Sequence, residues 1–287
     1  MATHALDTEA LQRWVGRREI RSDVIDARPV ALLSATLDRD DPPPRRGDVL
    51  PPLWHWLYFL PVFRQSEVGP DGHATRGGFL PPVPLPRRMW GGSRIEWHRP
   101  LVVGDEVSRE SRVVSVTPKS GRSGALVFVV VRHEISRGTE LALSEEHDIV
   151  YRALQPSDAR SGVATADATE PAAWTRRIVP DDVLLFRYSA LTFNSHRIHY
   201  DRRYVTEVEG YPGLVVHGPL LATLLVDLLR RNRPDTVLKR FEFRALAPLF
   251  DIAPFDVCGR PENTGAVALW AQAIDGALAM RAAATLA

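Results

Sequence analysis

The residues best suited to chemistry in this 287-residue chain fall in two blocks. In the first, Tyr188-Ser189-Ala190-Leu191 leads into Thr192-Phe193-Asn194-Ser195-His196-Arg197-Ile198-His199-Tyr200-Asp201, which sets two imidazoles, a carboxamide and a carboxylate within a few residues of one another. Imidazole titrates close to neutral pH, so such a group can take up a proton and give it back. The second block, Val215-Val216-His217-Gly218-Pro219-Leu220, opens the most apolar segment of the second half. Proline in a first helical turn gives up no hydrogen bond, and the Gly218 N–H then points outward at a helix start. A donor of that kind, reinforced by the helix dipole, suits a carbonyl oxygen that gains negative charge.

Together the blocks resemble the motif of the MaoC-like, or hydratase type 2, acyl-thioester hydratases of hot-dog fold, where it runs Gly-Asp-x-Asn-Pro-aliphatic-His. His199 keeps the histidine, while Asn194 stands at the aspartate position, His196 at the asparagine and Arg197 at the proline. The segment Thr192–Asp201 is more closely similar to a subgroup of double hot-dog proteins that includes mesaconyl-C4-CoA hydratase, itaconyl-CoA hydratase and the mitochondrial-type 3-hydroxyacyl-thioester dehydratases. Met89-Trp90-Gly91-Gly92, Ile95 to Leu101 and Phe243 to Phe250 resemble the same subgroup.

The resemblance implies reversible addition of water to an α,β-unsaturated acyl-CoA or acyl carrier protein thioester, with no metal and no cofactor. Such a reaction needs a base for water at Cβ, a proton for Cα and donors for the thioester oxygen. On this reading His199 is the acid/base residue, Asn194 fixes the water or the imidazole, and Gly218 donates to the oxyanion. A second backbone N–H near Phe193 or Asn194 is expected to complete the hole, one such donor being worth about 3 kcal/mol. Usual family members share proton transfer between Asp and His, and Asn194 cannot exchange a proton. Either His199 carries both transfers or another group joins it, His196 being nearest in sequence with Asp201 behind. His217 is expected to cap the helix, and Arg197 and Arg244 are candidates for substrate binding. Two other readings share the fold: an acyl-CoA thioesterase and a non-catalytic acyl-thioester binding protein.

Plainer roles compete for several of these residues. The His-x-x-His spacing at 196 and 199 lacks a third ligand in sequence for a tetrahedral metal site. Glu96 and His98 alternate on an expected strand and read as surface positions. Arg87-Arg88, Arg202-Arg203 and Arg230-Arg231 with Arg233 are solvated charges by default, although one such cluster could fork onto the phosphates of coenzyme A.

The elements that must position these groups predict an α+β chain, a double hot-dog of two antiparallel sheet modules each wrapping a central helix. An N-terminal module spans 1–154, a linker 155–173 and a C-terminal module carrying the motif 174–287. In the first, helical spacing covers Ala5–Arg18 and Asp23–Leu37, and strands are expected at Arg94–His98, Glu106–Thr117, Leu126–Ser136 and Leu141–Arg152. Twelve of the 23 prolines lie between Pro42 and Pro100, which predicts an extended cover broken by one short helix at Leu53–Leu60. In the second module a helix at Leu184–Ala190 and the apolar stretch Gly218–Leu229 precede strands at Val237–Leu246, Pro254–Gly259, Ala266–Gln272 and Ala277–Thr285. The first module has no equivalent of the 192–201 block and is expected to supply pocket wall without chemistry.

Composition sets the outer bounds. With 45% hydrophobic and 25% charged residues the chain is that of a globular protein. A net charge of +1 gives no field to recruit nucleic acid or an anionic membrane. The longest strictly apolar run, Ala125 to Val131, is far below a membrane span. One cysteine, Cys258, fits a reducing, cytoplasmic setting, and homo-oligomerisation through sheet edges is a further expectation.

Overall fold

The computed structural model describes residues 7–121, 124–153, 171–263 and 265–287. Most of the expected linker, 155–173, lies outside these residues. Ten strands make one antiparallel sheet: β1 (Arg18–Val24), β2 (Arg87–Trp97), β3 (Glu106–Gly121), β4 (Gly124–Arg137), β5 (Glu140–Arg152), β6 (Trp174–Ile178), β7 (Leu238–Ala245), β8 (Phe255–Pro261), β9 (Ala266–Ala273) and β10 (Leu278–Leu286). Their spatial order is β1-β3-β4-β5-β2-β7-β10-β9-β8-β6, so each half of the chain supplies five neighbouring strands. The two halves meet where β2 pairs with β7, from Gly92 opposite Arg244 to Glu96 opposite Arg240. A Cβ at Gly92 would lie 2.3 Å from the Phe243 carbonyl oxygen, so only glycine lets the two backbones come this close.

Helix α1 spans Thr8–Gln12, α2 Ala27–Thr36, α3 Asp182–Leu191 and α4 Gly218–Asn232. In α4 every residue from Leu220 to Leu229 is buried, the signature of a helix enclosed on all sides. It lies along β6, β8, β9 and β10 as the centre of its module. The first half has no equal of it: α2 is ten residues long and packs on α3. Asp26 caps α2 through Arg28 N–H at 2.7 Å, and Asp181 caps α3 through Leu184 N–H at 2.8 Å.

Three expectations need correction. The helix expected over Ala5–Arg18 is only Thr8–Gln12, and the chain then runs directly into β1. β1 and β6 were not expected at all, and both are edge strands: their charged residues guard an open edge and hide the apolar alternation. The Pro-rich stretch is in part core, because Leu50, Leu53, Trp54, Leu57, Tyr58 and Phe59 are all buried. Its helical piece shrinks to a single 3-10 turn, Trp54–Leu57.

Buried Asp227 on α4 ties distant segments together. Its carboxylate accepts from Arg39 at 2.6 Å, Arg176 at 2.8 Å and Arg231 at 2.7 Å, joining the chain after α2, strand β6 and α4 itself. Arg176 and Arg231 also donate to the Leu37 carbonyl at the end of α2.

Candidate active site

His199 ends a 3-10 turn, Arg197–His199, and is buried, with 8% of its surface exposed. Its Nδ1 lies 2.7 Å from the Val215 carbonyl oxygen. A carbonyl only accepts, so Nδ1 carries the proton and Nε2 keeps the free lone pair. Val215 N–H in turn donates to the Ile198 carbonyl at 3.0 Å, so the two sequence blocks grip each other here. Burial pushes the imidazole down to about 4, which leaves it neutral at physiological pH. Its ring stacks on that of His217 at 3.7 Å between centroids. His217 is wholly buried and shares a 2.8 Å hydrogen bond between Nε2 and Ser189 Oγ. Burial also holds His217 well below its ordinary value.

His217 is the N-cap of α4, and Gly218-Pro219 opens the helix. Gly218 N–H has no acceptor among the described residues. Gly218 and His199 line the same open cavity, of about 1490 Å³, whose walls come from both halves of the chain. Asn194, His196, Phe193 and Arg244 line it too.

The remaining expected site residues are placed as follows. Asn194 N–H donates to the Ser189 carbonyl at 2.8 Å and Phe193 N–H to the Ala190 carbonyl at 3.3 Å, so both amides are spent closing the end of α3. Neither is available as a second oxyanion donor, which corrects that expectation. The Asn194 carboxamide oxygen accepts from His196 N–H at 3.0 Å, and the residue lines the cavity. Asp201 does not stand behind His196. It accepts from Tyr204 N–H and pairs with Arg197 at 2.7 Å, while Arg197 lies over the Tyr204 ring, away from the cavity lining. Arg197 is therefore no substrate ligand. His217 buttresses the His199 ring and does not touch the cavity.

Several residues that sequence reasoning passed over reach this cavity from the first half. His73 lines it, and the ring lies 4.1 Å from that of His196, which meets His199 edge-on at 5.4 Å. Farther along, buried Glu145 accepts from Trp56 Nε1 at 3.1 Å and Ser93 Oγ at 2.8 Å, with His55 Nε2 at 3.2 Å. Burial opposes its ionisation, but the His55 contact and the neighbouring imidazoles hold the carboxyl at about 2. His147, on the ring of Trp90 at 3.9 Å, and His133 complete this second polar group, and burial lowers them to about 4 and about 3. The first module thus brings titratable groups to the cavity. No spacing motif announces them, because they come from β4, β5 and the Pro-rich segment. Glu96 and His98, by contrast, lie off the cavity.

The arginine clusters also resolve. Arg202 pairs with Asp251, Arg203 with Glu207, Arg231 with Asp227, and Arg230 lies over Trp54. Arg87 pairs with Glu209. Arg88 lines the cavity and has no carboxylate partner among the described residues. Its charge bears on His73, His196 and His147, and it hydrogen-bonds Tyr151.

A neutral imidazole with one free nitrogen, an open helix N-terminus beside it and a two-module sheet around a long cavity define the double hot-dog acyl-thioester hydratases. The chain belongs to the hydroxyacyl-thioester dehydratase type 2 family, whose description it matches over residues 53–251. It is 49% identical to a mesaconyl-C(4)-CoA hydratase of Chloroflexus aurantiacus, over 94% of this chain and 95% of that protein. It is 29% identical to the mitochondrial hydroxyacyl-thioester dehydratase type 2 of Schizosaccharomyces pombe, over 83% of this chain and 89% of that one. Among solved structures, HtdX of Mycobacterium tuberculosis shares the fold at a TM-score of 0.65 and 20% identity, covering 94% of this chain and all of its own. No helix among the described residues is long and apolar enough to cross a membrane.

Proposed function

We propose that this protein reversibly hydrates an α,β-unsaturated coenzyme A thioester whose short, branched acyl group ends in a free carboxylate, of the mesaconyl-C4 kind. The observation that carries the reading is the His199 imidazole, neutral, fixed through Nδ1 to Val215 and stacked on His217, whose next residue, Gly218, lines the same cavity with an N–H that has no acceptor among the described residues. The thioester oxygen lies at Gly218, where a donor at a helix start stabilises the charge that accumulates when the enolate forms. His199, on the ring next to Gly218 in sequence, exchanges the proton at the adjacent Cα. In hydration the water oxygen bonds to Cβ, the π pair moves toward the thioester oxygen, and the water's proton ends on Cα. One imidazole and one backbone N–H are the protein groups in these steps. Asn194, hydrogen-bonded into its own loop, steadies the motif and presents its amide to the water.

Arg88 supports the carboxylated acyl group: a half-buried cation with no acidic partner among the described residues costs desolvation that an anionic substrate repays. The 49% identical relative carries that substrate in its name. Arg244, exposed at the cavity lining, is assigned to the phosphates of the coenzyme. The buried, unpaired Cys258 favours a cytoplasmic, reducing setting.

The test is to incubate the purified protein with mesaconyl-C4-CoA, crotonyl-CoA and saturated acyl-CoA esters, following the enoyl absorbance and the mass. A gain of one water on the carboxylated ester is expected, with slower reaction of crotonyl-CoA. Release of free thiol without water addition would make it a thioesterase, and saturable binding with neither change would make it a binding protein. Either result overturns the reading.

A further inference from the structure

In the hydration proposed above, the water that adds at Cβ needs a base, and Asn194 occupies the place where the family motif carries an ionisable aspartate. We infer that His73, oriented by Asp71 on the Pro-rich segment of the other half, is that base, and that His196 relays the proton from it to His199. This inference rests on the hydratase reading.

The geometry is that of an aspartate–histidine pair. Asp71 Oδ2 lies 3.1 Å from His73 Nδ1, and Asp71 Oδ1 accepts from His73 N–H at 3.0 Å. One carboxylate thus holds both the backbone and the ring of the same residue. Because a carboxylate accepts, Nδ1 carries the proton and Nε2 is the nitrogen left for exchange. The ring lines the cavity, with His196 4.1 Å away between it and His199. Hydrogen bonding to His73 keeps the Asp71 carboxyl well below its usual range against the opposing effect of burial, so a negative charge stands ready behind the imidazole.

The pair is built into place. The carbonyl of Asp71 accepts from Arg197 N–H at 2.9 Å, that of Pro70 from the Arg197 guanidinium at 3.0 Å, and that of Gly72 from Ser195 Oγ. Gly72 has φ +91°, and a Cβ there would lie 1.9 Å from the Ser195 carbonyl oxygen. Only glycine allows the segment to sit this close, and that closeness puts His73 over the motif.

The proton balance is complete. As the water oxygen bonds to Cβ, His73 Nε2 takes its proton and Asp71 neutralises the imidazolium. The electron pair of the double bond becomes the enolate at Gly218 N–H. The proton passes through His196 to His199, which delivers it to Cα and restores every group. His73 and His199 are catalytic residues on this account, and Asp71 is a positioning residue.

The experiment compares parent, His73→Ala, Asp71→Asn and His199→Gln with mesaconyl-C4-CoA, monitoring thermal midpoint by circular dichroism. His73→Ala is expected to lose about 10²–10⁴-fold in kcat, with KM within a few-fold and the midpoint unchanged, and to recover rate as free imidazole is added. Asp71→Asn should lose less rate and show no imidazole response. Activity of His73→Ala within threefold of the parent, or a folded but inactive His73→Ala that imidazole does not rescue, would overturn the inference while leaving the hydratase reading intact. If the parent itself adds no water, both fall. The reactive atoms of Asp71, His73 and His196 also lie within 4.8 Å of one another. Chelator dialysis is therefore expected to leave the rate unchanged, and loss of activity that Zn²⁺ restores would overturn the base role in favour of a metal.

Discussion

The rings of His199 and His217 lie face to face, 3.7 Å apart and 19° from parallel, and neither carries a charge. Two imidazolium ions could not share this stack, so the site requires that at least one stay neutral. The consequence is a functional group set by packing: the burial that keeps His199 a base also makes it a liability in acid.

Acidification should therefore loosen the protein. The folded-state value for His199, about 4, is below the unfolded value of about 6.5, so the unfolded chain binds more protons between the two. Stability from this group is fully present above about pH 6.5 and is lost as pH falls toward 4, on the order of 3 kcal/mol. His147 and His133, lowered to about 4 and about 3, act in the same direction. The urea midpoint should fall between pH 7 and pH 4.5, and a midpoint that is flat over this range would show that these rings are not buried neutral.

Arg88 should set substrate choice. Replacing it by Gln is expected to lower kcat/KM for mesaconyl-C4-CoA by about 10–100-fold, the worth of a charge-assisted hydrogen bond. The effect on crotonyl-CoA, which has no distal carboxylate, should be under threefold. Equal losses on both esters would remove Arg88 from the acyl site.

Asp227 should matter for folding and not for chemistry. Changing it to Ala takes the carboxylate partner from Arg176 and Arg231 and leaves Arg39 only Asp41, at a cost of about 3–5 kcal/mol. Thermal denaturation should show a large fall in midpoint. The rate per folded molecule should stay near that of the parent, because none of Arg39, Arg176, Arg231 and Asp227 lines the cavity.

How much of this was legible in the sequence follows from how local each feature is. The positions of residue 199 and of the helix start at Gly218 were legible because a loop motif and a helix start lie within short stretches, and the apolar run from Leu220 to Leu229 marks the central helix plainly; His217 was expected to cap that helix, but its side chain makes no cap bond and goes to Ser189 instead. The same motif misdirected the reading of Asp201 and Arg197, whose pairing depends on which way a 3-10 turn faces. The Phe193 and Asn194 amides were misjudged because the end of α3 claims them, and helix ends cannot be fixed to the residue from periodicity. Arg88 was legible only as part of one of three arginine clusters, and His73 was not singled out at all. They meet the motif only after β2 and β7 join the halves and Gly72 lets the proline-rich segment descend onto Ser195, contacts separated by over a hundred residues.

The most direct measurement is the hydration of mesaconyl-C4-CoA by His199→Gln beside the parent, at saturating substrate and pH 7. The amide side chain can keep the hydrogen bond to the Val215 carbonyl but cannot carry a proton. The account predicts a fall in kcat of about 10²–10⁴-fold with KM within a few-fold. A variant that adds water within tenfold of the parent rate would contradict it.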